Sequence, residues 1–213
     1  MSAAHSVITI DGPAASGKSS IARLVAQRLG RTYVNTGNMY RAVTWAVLQA
    51  GVDPQDADAV RAFATGMVLE SPVVDGKTQV CISGRTPTDA DLNSDPVNRA
   101  VSFVARVDEV RNRLVADQRA LAATGPLVME GRDIGSVVFP DSPNKIYIDA
   151  SEEVRASRRG AQGHADQIAE RDRIDKQRKN SPLVIPAGAT VIDNSHITLD
   201  QAVEQVIAAL HLA

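Results

Sequence analysis

The 213-residue sequence predicts an α/β fold built on a parallel sheet. Three observations carry that reading. Short apolar runs alternate with stretches of helical periodicity, with no fixed-period repeat, as in chained βαβ units. The first run leads through a glycine-rich turn into a helix-like segment. Polar residues gather where the apolar runs end: Asp11-Gly12, Thr36-Gly37, residues 130–133, residues 149–151 and Asp193-Asn194. Open parallel sheets bind ligands beyond the carboxyl ends of their strands, so one site is expected along that edge.

Each element has a local reason. Residues 6–11 (SVITID) read as a buried strand, and Ile21, Leu24, Val25 and Leu29 share one face of a helix that Gly30 can close. Residues 32–35 form a second short strand. Residues 38–50 come next as a helix stopped by Gly51, and Asp53-Pro54 is expected to start another that Gly66 ends. From 67 to 102 the character changes. Turn signals at Asp75-Gly76 and Ser83-Gly84 predict a small antiparallel meander, with residues 89–95 as a polar connector. Residues 108–124 form a long amphipathic helix carrying Val110, Leu114 and Leu121, which Gly125 stops. Residues 126–129 and 145–149 (KIYID) are two further core strands. Ser151 is expected to cap a basic helix, residues 166–179 read as a highly charged one, and 190–193 as the last strand. Thr198 and Gln201 box the C-terminal helix, which Leu199, Val203, Val206 and Leu210 anchor.

Composition narrows the function. The chain is 44% hydrophobic and 23% charged, ordinary values for a globular domain long enough to bury roughly 70% of its unfolded surface. One cysteine, Cys81, excludes a disulfide framework, and the four histidines show no metal-ligand spacing. No apolar run approaches the ~20 residues that span a bilayer, and no basic, apolar leader is visible, so a cytoplasmic protein is expected. The net charge of −2 argues against polynucleotide binding. The cations are biased, however, with 18 Arg against 5 Lys. Arginine forks onto phosphates and carboxylates.

The sharpest motif is Gly12-Pro13-Ala14-Ala15-Ser16-Gly17-Lys18-Ser19, a G-x-x-x-x-G-K-S loop with a strand before it and a helix after it. Its glycines let backbone N–H groups turn inward around phosphate oxygens, the helix N-terminus adds partial positive charge, Lys18 reaches the β and γ phosphates and Ser19 can ligate Mg²⁺. The loop predicts ATP or another nucleoside triphosphate as ligand. It does not fix the fate of that nucleotide, because switches, motors and kinases share it. No N-K-x-D base-reading sequence is present, which disfavours a guanine-nucleotide switch, and a motor ATPase would need more chain. A small monomeric phosphotransferase remains, with a non-catalytic nucleotide-binding module as the reading from another class.

Three further constellations add arginines. Residues 35–41 (NTGNMYR) place Arg41 near the start of a helix, and residues 130–135 (EGRDIG) bracket Arg132 and Asp133 with glycines. In the charged segment 170–178, Arg171, Asp175 and Arg178 fall within roughly 60° of one another on a helix. With Arg155, Arg158 and Arg159 nearby, two basic helices joined by a small, polar stretch have the character of a lid.

GPAASGKSS, NTGNMYRAV, SFVARVDEVR at 102–111, the EGRDIG segment with the VVFP after it, and ERDRIDKQR resemble bacterial cytidylate kinases in order and distance across essentially the whole chain. The resemblance implies a P-loop kinase fold: a central parallel five-stranded sheet flanked by helices, a small antiparallel β insertion in the monophosphate-binding part, and an arginine-rich lid. It implies a single kinase domain with core residues 1–36, 103–150 and 185–213, a monophosphate-binding part at 37–102 with its insertion at 67–102, and a lid at 155–180. It further implies transfer of the ATP γ-phosphoryl group to CMP or dCMP with Mg²⁺, by a monomer. Residues 12–20 (Gly12 through Ser19 and Ser20), with Arg158 and Arg159, would bind ATP. Lys18, Arg132, Arg158 and Arg171 would neutralise charge in the transition state. Thr36 and Asp133 would read the cytosine amino group, Arg111 the ring's acceptor edge, Arg41 the acceptor phosphate with Arg132, Arg171 and Arg178, and Ser102, Arg171 and Asp175 the sugar. A P-loop kinase for another acceptor, such as UMP, AMP or a small metabolite, is the alternative.

Overall fold

The computed structural model describes residues 7–160 and 183–211. Along the chain, β1 (Val7–Asp11) leads through the glycine loop to α1 (Lys18–Arg28) and β2 (Thr32–Asn35). Next come α2 (Thr36–Gln49), α3 (Ala57–Gly66), and four two-residue strands, β3 (Leu69–Glu70), β4 (Val73–Val74), β5 (Lys77–Thr78) and β6 (Cys81–Ile82). After them stand α4 (Asp89–Leu92), α5 (Asp95–Val104), α6 (Asp108–Leu121), β7 (Leu127–Gly131), a π-helical turn (Ile134–Val138), β8 (Asn144–Asp149), α7 (Glu152–Gly160), β9 (Thr190–Asp193) and α8 (Leu199–Ala208). The expected helix at 166–179 lies outside the described residues.

Several boundaries differ from those the sequence predicts, each for a local reason. α2 begins two residues early because the Asn35 side chain accepts from the Asn38 amide at 3.0 Å and caps the helix at once. α3 starts at Ala57 and not at Asp53-Pro54: Asp56 accepts from the amides of Asp58 and Ala59, whereas Asp53 only closes a turn through the Gln55 amide. The stretch 67–102 is not a meander. β4 and β5 form a hairpin across Asp75-Gly76, both at positive φ, while β3 pairs with β6. The second turn at Ser83-Gly84 exists, but its return strand is a single bridge from Ile82 to Arg85, since Pro87 comes soon after and cannot donate to a ladder. The connector at 89–95 is helical, with Thr88 and Asp91 in a capping box, and α5 has no counterpart among the elements the sequence predicts.

The chain divides into two compact units, one made of residues 1–34 and 122–213, the other of residues 35–121. In the first, the strand order is β2-β7-β1-β8-β9. β1 is parallel to both β7 and β8, and β8 is parallel to β9. All five residues of β1 and of β7 are buried, as inner strands of a parallel sheet covered on both faces should be, with Thr9, Asp11 and Glu130 as their polar members. Ile8, Ile10, Val128, Ile146 and Ile148 from the sheet pack with Ile21 and Val25 of α1 and Val203 and Val206 of α8. Burying side chains of this size contributes about 1.5–3 kcal/mol each. In the second unit, α2 packs on α5 and α3 on α6, with Met39, Val43, Val60, Val97, Val104, Val110 and Leu114 fully or almost fully buried.

Candidate active site

The first unit carries the glycine loop. Gly12 sits at φ 155°. A Cβ there would run into the carbonyl oxygen of Ile148, so only glycine lets the chain leave β1 in this direction. Gly17, at φ 89°, is the residue before α1, and a Cβ on it would lie 2.9 Å from Asn194 Nδ2. Ala15 adopts φ 57°, a left-handed conformation that costs a non-glycine residue on the order of 1 kcal/mol, and strain of this kind clusters at ligand clamps.

The loop is held from behind by its carbonyls. The Pro13 oxygen accepts from Lys18 Nζ at 3.0 Å and the Ala14 oxygen from Arg155 Nη1 at 3.3 Å. The Ser16 oxygen accepts from Asn194 Nδ2 at 2.7 Å and Arg158 Nη1 at 3.2 Å. Because a trans peptide points its C=O and N–H in opposite directions, these ties turn the amides of residues 14, 15 and 17 toward the loop's other side. α1 adds the positive end of its dipole there, with no acidic residue in its first turn and no side-chain cap. The result is a concentration of N–H donors suited to phosphate oxygens. Arg158 is fixed by Asn194, which accepts at Oδ1 from Nη1 (2.9 Å) and at its backbone oxygen from Nη2 (3.0 Å).

Beside the loop, β7 ends in Glu130-Gly131 and runs into Arg132-Asp133 and the π turn. Asp133 is buried and Arg132 half-buried. Buried Glu130 accepts from the Tyr33 hydroxyl at 3.1 Å. Asp11, completely buried, accepts from the amides of Ile134 and Gly135, both at 2.7 Å. Burial pushes its carboxyl up to about 7, against the lowering effect of those two amides, with the nearby Asp133 charge adding to the rise.

The second unit gathers a different set. Thr36, almost fully buried, opens α2, and Arg41 lies one and a half turns along the same helix. Arg41 Nη1 donates to the Leu92 carbonyl and to Asn98 Oδ1, both at 2.8 Å. Asn98 in turn donates to the Asn93 carbonyl at 2.7 Å, which fixes its amide orientation. Half-buried Ser102 stands one turn further along α5. Arg111 of α6 is buried, donates to the Ala105 carbonyl at 3.3 Å and lies 5.5 Å over the Tyr40 ring. An arginine ring-stacked and held this way keeps its guanidinium plane oriented.

The structure thus assembles the loop residues with Arg158, and Arg132 with Asp133, in one unit, and Thr36, Arg41, Ser102 and Arg111 in the other. Arg171, Asp175, Arg178 and the side chain of Arg159 lie outside the described residues. The sequence alone assigns no site role to Asp11, Asn98 or Asn194, and it places Arg155 only among the basic residues of the expected lid, not on a carbonyl of the glycine loop. Asp11 and Asn194 stand out in it only as polar strand ends, and Asn98 sits in a helix that it does not announce. Ser19 is exposed on the first turn of α1, and among the described residues no three His, Cys, Asp or Glu side chains gather around a possible metal. A hydroxyl without a carboxylate cage fits a hard divalent ion that arrives on phosphates and keeps several waters.

A glycine loop between β1 and α1 of a parallel sheet, with arginine-bearing α7 tied to it, defines the class as a P-loop kinase fold. The cytidylate kinase family matches residues 8–212. A cytidylate kinase of Pelotomaculum thermopropionicum is 44% identical over 214 residues, covering 94% of this chain and 94% of that protein. One from Mycobacterium avium is 42% identical over 212 residues, covering 94% of this chain and 92% of its own. A bifunctional pantoate ligase/cytidylate kinase of a Synechococcus strain is 44% identical over 217 residues, covering 96% of this chain but 43% of that protein. The chain belongs to the cytidylate kinase family. Among the described residues no helix is long and apolar enough to cross a membrane.

Proposed function

We propose that the protein transfers the γ-phosphoryl group of ATP, in line, to a phosphate oxygen of CMP or dCMP. Membership of the cytidylate kinase family over nearly the whole chain carries this reading. The tied-back loop supports the donor half of it. The acceptor oxygen is already ionised at neutral pH, so the reaction needs no general base; what it needs is positioning and charge neutralisation. Lys18 would leave Pro13 for the β and γ phosphates, and the amides of the glycine loop would hold the remaining oxygens. Mg²⁺, bound by Ser19 Oγ with phosphates and water, would neutralise phosphate charge. Arg158 and Arg159 would contact ATP, and Arg132 and Arg171 would meet the transferring group.

On the acceptor side, Arg41 would take the monophosphate, together with Arg132, Arg171 and Arg178. Thr36 and Asp133 would accept from the cytosine amino group, Arg111 would donate to the ring's acceptor edge, and Ser102, Arg171 and Asp175 would bind the sugar. A uracil ring presents O4 where cytosine has its amino group, leaving buried acceptors facing an acceptor, which is the strongest form of discrimination a small site can offer. In this reading residues 1–36, 103–150 and 185–213 form the core, residues 37–102 the monophosphate-binding part with a β insertion at 67–102, and residues 155–180 the lid, in a cytoplasmic monomer.

An ADP-release assay with ATP and Mg²⁺ against CMP, dCMP, UMP, AMP and GMP, with a control lacking acceptor, tests it. Turnover on CMP and dCMP is expected to exceed the others by about tenfold or more. Preference for another monophosphate would discard the base-reading roles, and ATP binding without transfer to any acceptor would discard the kinase reading.

A further inference from the structure

Asp11 is the least expected side chain in the first unit. It is a carboxylate at the end of the central strand, completely removed from solvent, in a sheet whose other β1 residues are Val7, Ile8, Thr9 and Ile10. A buried charge is retained only where it is fully satisfied, and here each oxygen has one partner: Oδ1 accepts from the Ile134 amide and Oδ2 from the Gly135 amide, both at 2.7 Å. Those amides belong to the two residues immediately after Arg132-Asp133. The same turn is closed from its other side, where the Asp133 carbonyl accepts from Val137 at 2.9 Å and Val138 at 3.2 Å. Asp133 therefore has its backbone fixed in an irregular conformation (φ −144°, ψ 25°) by bonds on both flanks. The close approach also explains Gly135. A Cβ there would come within 2.8 Å of Thr9 Oγ1, 3.1 Å of Asp11 Oδ2 and 3.1 Å of Pro186 Cγ.

We propose that Asp11 is a positioning residue for base recognition, its carboxylate clamping the amides of Ile134 and Gly135 so that Asp133 is held in the one orientation that accepts from a cytosine amino group. The inference rests on the proposed role of Asp133 as a reader of the base. In this reading Asp11 itself contacts neither nucleotide and acts only through the two amides it holds. It is, however, bonded through its own peptide to Gly12, so the residue that orients the base reader also starts the phosphate loop. The high pKa that burial imposes on Asp11 agrees with a group kept for geometry at a cost to its ionised form.

The experiment is Asp11→Asn, which keeps the side-chain shape and one acceptor but points an amide donor at a backbone N–H. Steady-state constants are measured for CMP, UMP and ATP, with thermal unfolding alongside. The ratio of kcat/KM for CMP to that for UMP is expected to fall by about tenfold or more, with KM for ATP changed by less than about threefold. A merely structural role would lower Tm and depress turnover on CMP and UMP alike, leaving the ratio in place, and that result would overturn the proposal. Gly135→Ala presses on the same contact from the other side and meets only side-chain atoms, so it keeps the question answerable if Asp11→Asn does not fold. It is expected to lower the same ratio, and the double variant to lose little more than either single one, as for two changes to one contact. An unaltered ratio in Gly135→Ala would count against the proposal equally. Should the wild-type protein itself show no preference for CMP, the reading of Asp133 fails, and the Asp11 inference with it.

Discussion

The phosphate loop of the first unit and the arginine cluster of the second solve similar problems with different materials. Around residues 12–19 the groups turned away from the carbonyl ties are backbone amides, and the side chains of Lys18, Arg155, Arg158 and Asn194 donate to the loop's carbonyls. Around Arg41 and Arg111 the positions are reversed. There the backbone carbonyls of Leu92 and Ala105 hold the arginine side chains, and the guanidinium groups are what a ligand would meet. A site made of amides is rigid and hard to remove one residue at a time. A site made of side chains can be dismantled by single substitutions, each with its own signature in the kinetics.

The largest effect should come from the one side chain of the loop that can leave its carbonyl for the ligand. Lys18→Ala is expected to lower kcat on the order of 10²–10³-fold, as loss of a single transition-state donor does in a water-excluded site. Single-turnover measurements would check it, and a fall of less than about tenfold would mean that amides alone neutralise the transferring group. Arg41→Ala comes next. Removing the guanidinium should raise KM for CMP or lower turnover by about tenfold while KM for ATP stays within about twofold, since its partners Leu92 and Asn98 belong to the second unit and not to the one that carries the glycine loop. Equal changes in both constants would show that the two sites are not as separable as their construction suggests.

The same contrast explains how much of the molecule is legible in its sequence. The glycine loop is legible because its determinants are contiguous: a strand, two glycines, a lysine and a helix within about 20 residues. The three inner strands of the first unit are legible from mostly apolar, buried runs, and the outer two, β2 and β9, from short runs between turn and helix signals. α5 is not, because residues 89–95 read as a polar connector, and that masks Asp95-Pro96, the same start signal as Asp53-Pro54, with Pro96 in the first turn where its missing N–H costs nothing. With that helix goes Asn98, the partner of Arg41. The π turn at Ile134–Val138 has no local signature either. Its amides are satisfied by Asp11, 123 and 124 residues away in the chain, and such a pairing exists only after the sheet has placed β1 beside β7. Only the resemblance to a family suggests roles for Thr36 and Arg111, which neither periodicity nor spacing could assign.

The smallest effect should separate the loop's amides from the groups that hold its carbonyls. Asn194 donates to the Ser16 carbonyl at 2.7 Å and receives two bonds from Arg158. Asn194→Ala deletes the shorter of the two bonds to that carbonyl and the Oδ1 acceptor of Arg158 Nη1, and leaves Arg158, still held by the backbone oxygen of residue 194, as the remaining tie at 3.2 Å. A buried acceptor that loses one of two donors costs less than one left bare, so only part of the usual penalty of about 1–3 kcal/mol should appear. The expected result is an increase of about two- to fivefold in KM for ATP, with KM for CMP unchanged and Tm lowered by a few degrees. Isothermal titration with ATP and steady-state kinetics with CMP would read the two halves independently. If the constant for ATP does not move, the amides at 14, 15 and 17 are set by the glycines, Lys18 and the arginines of α7 without help from the Asn194 side chain. If the constant for CMP moves as far as that for ATP, the carbonyl ties transmit beyond the loop, and the division between a backbone-built and a side-chain-built site gives way to a single coupled one.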